Sequence, residues 1–340
     1  MSLKTKIMAG VLAGGLILLG TGCQKKVEVQ NPSTEALNGV LTVYTSQPEA
    51  DIQALVESFN TVYPDIKVDI FRSGTEEVVS KVLAEKEVNA VQADVLLVAD
   101  APTFEMLKSK DLLMSYASPE LAGISDDFYD EENTYTGTKI ISTGIIVNTD
   151  VVNDKVESFA DLTKKELDDS LIMPSPLYSG AAAYNLGVLT RTEGVGWEFY
   201  ESLKSNGIIV EKGNGAVQSA VVSGQKGAGI IIDYMALRAK ADGAPVEFVY
   251  PKEGSLIITE PVAILKNTKN EELAKTFVDY ILSVEGQKAT AAIGYTPIKS
   301  GVAAPEGFKT ADEIKNLTYE LSILVENRDT DKEKFSQMFQ

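Results

Sequence analysis

Val40-Leu41-Thr42-Val43-Tyr44-Thr45-Ser46 is where folding should begin in this sequence, and the stretch from there to Val98 decides the fold. Residues 40–44 are a short run of β-branched, aromatic and aliphatic side chains, which reads as a strand. Residues 50–63 put Ile52, Leu55, Val56 and Phe59 at helical spacing, so one face of a helix is apolar. A second strand at 68–71, a second helix at 76–85 and a short apolar strand at 94–98 follow. This β-α-β-α-β order predicts a parallel sheet covered by helices on both faces.

Downstream, 103–109 reads as a helix, and 139–148 as a long apolar strand able to pass from one lobe to another. A second α/β unit comes next. It comprises a helix from 158–161 onward, a strand at 171–173, helices at 181–191 and 195–204, a strand at 208–211, a helix at 216–223, a strand at 229–232, a helix at 235–241 and a strand at 246–250. A strand at 262–265, a helix at 271–282 and a loop around Tyr295-Thr296-Pro297 lead to an acidic helix expected at 311–327, which 329–340 extends or frays. No repeat has a fixed period, which argues against solenoids and propellers. Two α/β units joined by extended segments predict two lobes with a cleft between them: 38–139 with 256–300 as lobe 1, 140–255 as lobe 2, and 301–340 as a C-terminal helical segment packing on the lobes.

Ahead of these units, Lys4 and Lys6 precede an apolar run at 7–19 and then Gly20-Thr21-Gly22-Cys23, the order of a secretory signal. The run is shorter than the roughly 20 residues a spanning helix needs. Leu18-Leu19-Gly20-Thr21-Gly22-Cys23 resembles a bacterial lipobox, departing from it at Gly20, where Leu is usual. The resemblance implies a signal peptide at 1–22, a lipid on Cys23, a tether at 23–37 and an exported protein anchored on the outer face of the cell membrane or in the periplasm.

Absences narrow the function. The 340 residues contain no histidine and one cysteine, so a Ser-His-Asp triad, a Cys-His pair or a usual zinc site cannot be built. Neither Gly213-Asn214-Gly215 nor the glycine-rich 224–229 matches a dinucleotide or phosphate-loop fingerprint. With 49 acidic residues, carboxylate pairs arise by chance, and a carboxylate-dependent secreted hydrolase stays open only as an alternative of another class. The formal charge of −18 becomes −20 once Lys4 and Lys6 leave with the signal (−18 − 2), a field that repels nucleic acid.

Small polar residues stand at predicted strand ends just before helices: Ser46 after the first strand, Ser73-Gly74-Thr75 after the second, and Ser179-Gly180-Ala181 before the helix at 181–191. Ligands of open parallel sheets bind at the carboxyl ends of strands, where helix N-termini present free N–H groups. Each turn also fits a plain helix cap; three together point to an oxyanion cradle. Asp100 and Asp233, followed by Tyr234, end two further strands and could face the cleft to receive an ammonium group, or could cap the helices that follow. Arg72 is the nearest candidate cation.

The segments 41–46, 73–75 with 81–85, 92–95, 243–246 with 250–254, and 283–287 leading to Gly294-Tyr295-Thr296-Pro297 resemble, in order and spacing, solute-binding proteins of ABC importers of the ferric-iron, thiamine and phosphorylated-compound group. The resemblance implies a two-lobed periplasmic-binding-protein type II fold, no catalysis and no cofactor. It also implies a monomer that delivers a small solute to an ABC permease and its ATPase and touches the membrane only through its lipid. Ferric members hold iron with adjacent tyrosines, a pair missing here, so Tyr178, Tyr184 and Tyr234 would have to act separately. The serine- and glycine-bearing turns resemble those of phosphate-ester and phosphonate binders, and the ligand expected is a small organic phosphate or phosphonate, with zwitterions included and ferric iron the alternative.

Overall fold

The structure is a computed structural model that describes residues 37–340. The signal peptide, Cys23 and the tether up to residue 36 lie outside the described residues.

Strand β1 (Gly39–Thr45), helix α1 (Glu49–Val62), β2 (Ile66–Arg72), α2 (Thr75–Glu87), β3 (Val95–Leu97) and α3 (Ala101–Ser109) realise the first unit. Both β2 and β3 run parallel to β1. These strands are apolar throughout because both faces are covered: Val95 and Leu97 of β3 point into a core with Ile52, Phe59 and Phe277, whereas Leu96 joins Val78, Val82 and Phe104 on the other side. Asp100 starts α3, accepting the Thr103 N–H at 3.0 Å.

The long strand β4 (Thr136–Asn148) then crosses to the second unit. That unit contains β5 (Leu171–Pro174), α4 (Gly180–Leu189), α5 (Gly196–Ser205), β6 (Ile209–Glu211), α6 (Asn214–Val222), β7 (Ala228–Ile232), α7 (Asp233–Ala241) and β8 (Val246–Val249). Strand β9 (Ser255–Ile264) returns. The strand order is β2-β1-β3-β9-β4-β7-β5-β6, with β9 and β4 antiparallel to each other at its centre. The two crossing strands therefore form the floor between the two lobes. Ile230 and Ile232 face a core with Leu171, Leu186 and Phe199, and Ile231 faces Val217, Val221 and Ala236, so the two-sided pattern recurs.

Helix α8 (Glu271–Leu282) is followed at once by α9 (Val284–Ile293), where the sequence reading has no helix. Gly286 looks like a breaker but is needed there, since a Cβ would stand 1.9 Å from the Tyr280 carbonyl oxygen, and the Ser283 hydroxyl caps the helix through the Gly286 N–H. The segment expected to be helical from 158 makes two short 3₁₀ turns.

The tail also departs from expectation. After short β10 (Thr296–Pro297), the Thr310–Glu313 capping box closes a single 3₁₀ turn, Ile314 is extended, and β11 (Asn316–Leu317) pairs with β9. The helix begins only at Leu321 and continues as α10 (Leu321–Phe339). Its Leu324 and Phe335 pack into the core of α4 and α5. Its charged face reaches the first unit, where the Arg328 guanidinium donates to Asp100 and to Glu76 at 2.8 Å each and Lys332 meets Glu76 at 2.9 Å. Asp331 closes the strap with a pair to Arg191 at the end of α4.

A cleft ringed by helix N-termini

A cleft of about 420 Å³ lies between the lobes. Its floor is Ile141 of β4 with Ile258 and Glu260 of β9. The starts of α1, α2, α4, α6 and α7 all reach its wall, through Glu49, Thr75, Gly180 with Ala181, Asn214 with Gly215, and Tyr234. First-turn N–H groups have no carbonyl four residues back inside the helix, and the macrodipole makes each such end partly positive. Glycine at 180 lets the start of α4 approach the Ala99 carbonyl, since a Cβ there would stand 2.9 Å from its oxygen, and glycine at 74 makes room for the Tyr178 ring. Arg72 adds a full charge at the rim and is held by its Nε donating to the Gln47 carbonyl at 2.8 Å.

The lobes touch along the cleft. The Glu76 N–H donates to the Tyr178 carbonyl at 3.3 Å, Lys212 pairs with Glu77 at 2.9 Å, and Lys212 lies 4.3 Å from the Tyr178 ring centre. At the other end Arg238 of α7 donates to both oxygens of Asp51 in α1 at 3.0 Å each, and the Tyr295 hydroxyl donates to Asp51 at 2.5 Å. The guanidinium also covers the rings of Tyr234 and Tyr295.

The family model of bacterial extracellular solute-binding proteins matches residues 91–319. The chain belongs to this family. A probable ABC transporter periplasmic-binding protein of Sinorhizobium fredii is 27% identical over 278 residues, covering 77% of this chain and 75% of the relative. Among solved structures, the periplasmic binding protein AfuA of Actinobacillus pleuropneumoniae, with fructose-6-phosphate bound, superposes with a TM-score of 0.82 at 24% identity over 89% of this chain and 99% of its own. Iron-bound HitA of Pseudomonas aeruginosa gives 0.75 at 22% identity over 87% and 99%. These two structures share the type II fold with this solute-binding protein.

Of the residues singled out from sequence, the cleft brings together Ser46, Gly74, Thr75, Tyr178, Ser179, Gly180, Ala181 and Tyr234. Ser179 also caps α4, accepting the Ala182 N–H at 3.3 Å, so both readings of that serine apply. Four residues fall elsewhere. Ser73 is half-buried just before α2, and its hydroxyl donates to Glu77 of that helix. Asp100 is fully buried under α10, its oxygens occupied by Thr103 and Arg328. Asp233 is buried beneath the floor, accepts the Tyr234 N–H at 2.8 Å, and does not line the cleft; burial pushes its carboxyl up to about 7. Strand ends seat both aspartates correctly, but each side chain turns back onto its own helix, where first-turn N–H groups compete with any ligand. Tyr184 lies outside the cleft, directed at Thr318.

Two contributors escape the sequence reading. The glycine-rich start of α6 matches no phosphate-loop fingerprint, yet it presents a helix end to the cleft. Glu260, in the otherwise apolar β9, is 4% exposed and pairs with Lys139 of β4. Opposite charges on two apolar strands were the available signal.

Proposed function

We propose that this solute-binding protein captures a small organic phosphate or phosphonate, zwitterions included, between two lobes and hands it to an ABC permease driven by a separate ATPase. In this reading residues 38–139 with 256–300 form one lobe and 140–255 the other, with Ser46, Gly74, Thr75, Ser179, Gly180, Ala181 and Tyr234 touching the ligand. The carrying observation is the convergence of five helix N-termini and Arg72 on one small cleft. Such ends bind oxyanions through backbone N–H groups and dipoles, and about 420 Å³ suits a metabolite of modest size. The sugar phosphate in AfuA accords with this choice. The −18 formal charge does not oppose it, because distant charges are screened over about 10 Å while the cleft dipoles act at contact. Binding rather than hydrolysis is inferred from membership of the solute-binding family, and one oxygen of Glu260 is already engaged by Lys139 and Gln47.

Ferric iron is the second reading, favoured by Tyr178 and Tyr234 in the cleft and by the fold of HitA. It needs phenolates, whereas burial holds the Tyr234 hydroxyl well above the usual tyrosine range. Among the described residues no three carboxylates or thiols gather where they could hold a metal.

Purified protein titrated with phosphonates, phosphate esters and ferric salts separates the readings. The expected result is a raised melting temperature with a phosphate- or phosphonate-bearing probe, about 2.7 kcal/mol at a hundredfold excess over Kd, and no colour with iron. A stoichiometric coloured ferric complex, lost in Tyr234→Phe, overturns the proposal. We also infer a lipid on Cys23; retention of Cys23→Ser in the membrane fraction to the wild-type degree would refute that.

A further inference from the structure

The floor of the cleft carries a buried carboxylate, Glu260; the other carboxylate on the cleft lining, Glu49, is exposed at the start of α1. Glu260 extends from β9 with its side chain 5% exposed, and its Oε2 is taken twice: by the Lys139 ammonium and by the Gln47 amide, which donates at 2.9 Å. Lys139 is 2% exposed and lies 4.8 Å from the Tyr295 ring centre, so the cation is packed into the floor behind the carboxylate and does not line the cleft. Both donors go to Oε2, and Glu260 is part of the cleft surface, so Oε1 is the oxygen that meets whatever fills the cleft. A ligand that displaces water from Oε1 leaves it unpaired unless the ligand brings a donor of its own.

Resting on the oxyanion reading above, we infer that Glu260 is the specificity-determining residue for the end of the ligand remote from its phosphate or phosphonate, and that it accepts a hydrogen bond from an N–H or O–H group there. The ammonium role expected for Asp100 and Asp233 passes to it. Lys139 cancels the net charge of Glu260, which lets the carboxylate stand in the cleft without expelling the anion. Gln47 fixes its rotamer through Oε2 and leaves Oε1 for the ligand. A bare phosphate would fill the helix-lined pole and leave Oε1 unpaired; a bifunctional molecule satisfies both.

The test uses 2-aminoethylphosphonate, 2-hydroxyethylphosphonate and ethylphosphonate in calorimetric titration of the wild-type protein and of Glu260→Gln. Wild type should bind the amino or the hydroxy probe more tightly than ethylphosphonate by about ten- to a hundredfold, the range of a hydrogen bond to a charged group, and whichever leads identifies the donor. Glu260→Gln should shrink that preference at least tenfold, read as the ratio of the Kd values of the amino or hydroxy probe and of ethylphosphonate in the same variant, a ratio that a merely structural role would not move. Because the single variant leaves Lys139 buried without its counter-charge, Glu260→Gln with Lys139→Met is measured beside it as a folded reference. Equal wild-type affinity for all three probes, or a preference that survives in both variants, overturns this inference and leaves the oxyanion reading intact. Binding of none of the three by the wild type overturns both.

Discussion

Gly180 offers a direct way to ask whether approach of the lobes is what holds the ligand. A Cβ placed on it would stand 2.8 Å from Thr75 Oγ1 and 2.9 Å from the carbonyl oxygen of Ala99, both on the opposite lobe, where ordinary contact starts near 3.4 Å. The carbonyl cannot rotate aside, so in Gly180→Ala the seam must open by a few tenths of an ångström. Overpacking of this kind costs about 1–3 kcal/mol, hence roughly a 5- to 150-fold loss of affinity. With the lobes apart nothing opposes the methyl group, and alanine is the better helix former by up to about 1 kcal/mol. The ligand-free protein should therefore keep its melting temperature or gain slightly while calorimetric affinity for the best phosphonate probe falls. Gly215→Ala is the matched control, since a Cβ there meets nothing within 4 Å on another helix start in the same cleft. Affinity of Gly180→Ala equal to wild type, or an equal loss in Gly180→Ala and Gly215→Ala, would show that approach of the lobes does not hold the ligand.

Arg328→Ala should lower the ligand-free melting temperature by on the order of 10 °C, since it strips a buried cation from Asp100 and Glu76 and breaking such pairs costs about 3–5 kcal/mol; thermal melts check this, and Lys334→Ala, away from these carboxylates, should move little. Asp233 sets a pH dependence of unusual sign. Its folded pKa of about 7 lies above the ordinary 3.8, so the folded state holds its proton more firmly and this contribution to stability declines as pH rises from about 4 to about 7, then levels off. Asp233→Asn should thus gain over wild type increasingly across that window in chemical denaturation, and a constant gap would refute the assignment. Asp161, held near 2 by Lys164 and by the Glu157 N–H against the opposing effect of partial burial, gives the reverse: its contribution is complete above about 3.8 and is lost as pH falls toward 2. Asp161→Asn should accordingly flatten the stability profile below about pH 4.

Much of the fold was legible because its strands are buried on two sides. Val95-Leu96-Leu97 and Ile230-Ile231-Ile232 have no polar alternation, and helices with strong apolar faces, such as Glu271–Leu282, declare themselves. Helix α9 stayed hidden because Gly286 argues against a helix locally while tertiary packing against Tyr280 demands glycine there. The stretch from 311 to 320 shows the opposite failure, as acidic residues that suit a helix start instead close one capping-box turn and release the chain to pair with β9. In the site, the turns at 74–75 and 179–181 were readable from position at strand ends. Side-chain direction was not: Ser73, Asp100 and Asp233 stand at the expected places but spend their oxygens on Glu77, on Arg328 with Thr103, and on the Tyr234 N–H. Glu260 stands out in the sequence only as a charge in an apolar strand; its pairing with Lys139, far away in sequence, is set by the fold.

The crossing strands also govern the order in which the chain can assemble. Strand β3 pairs with β1 on one side, but its other neighbour is β9, with Val95 against Ile264, so the whole stretch forming the second unit is synthesised before that edge is covered. Until then β1, β2 and β3 form a sheet with an open apolar edge, and closing so long a loop is slow compared with local helix formation. Folding of the first unit is therefore tied to completion of the second, because the sheet cannot close until β9 docks. Anything that sped up β9 docking would shorten the interval during which that apolar edge stands open.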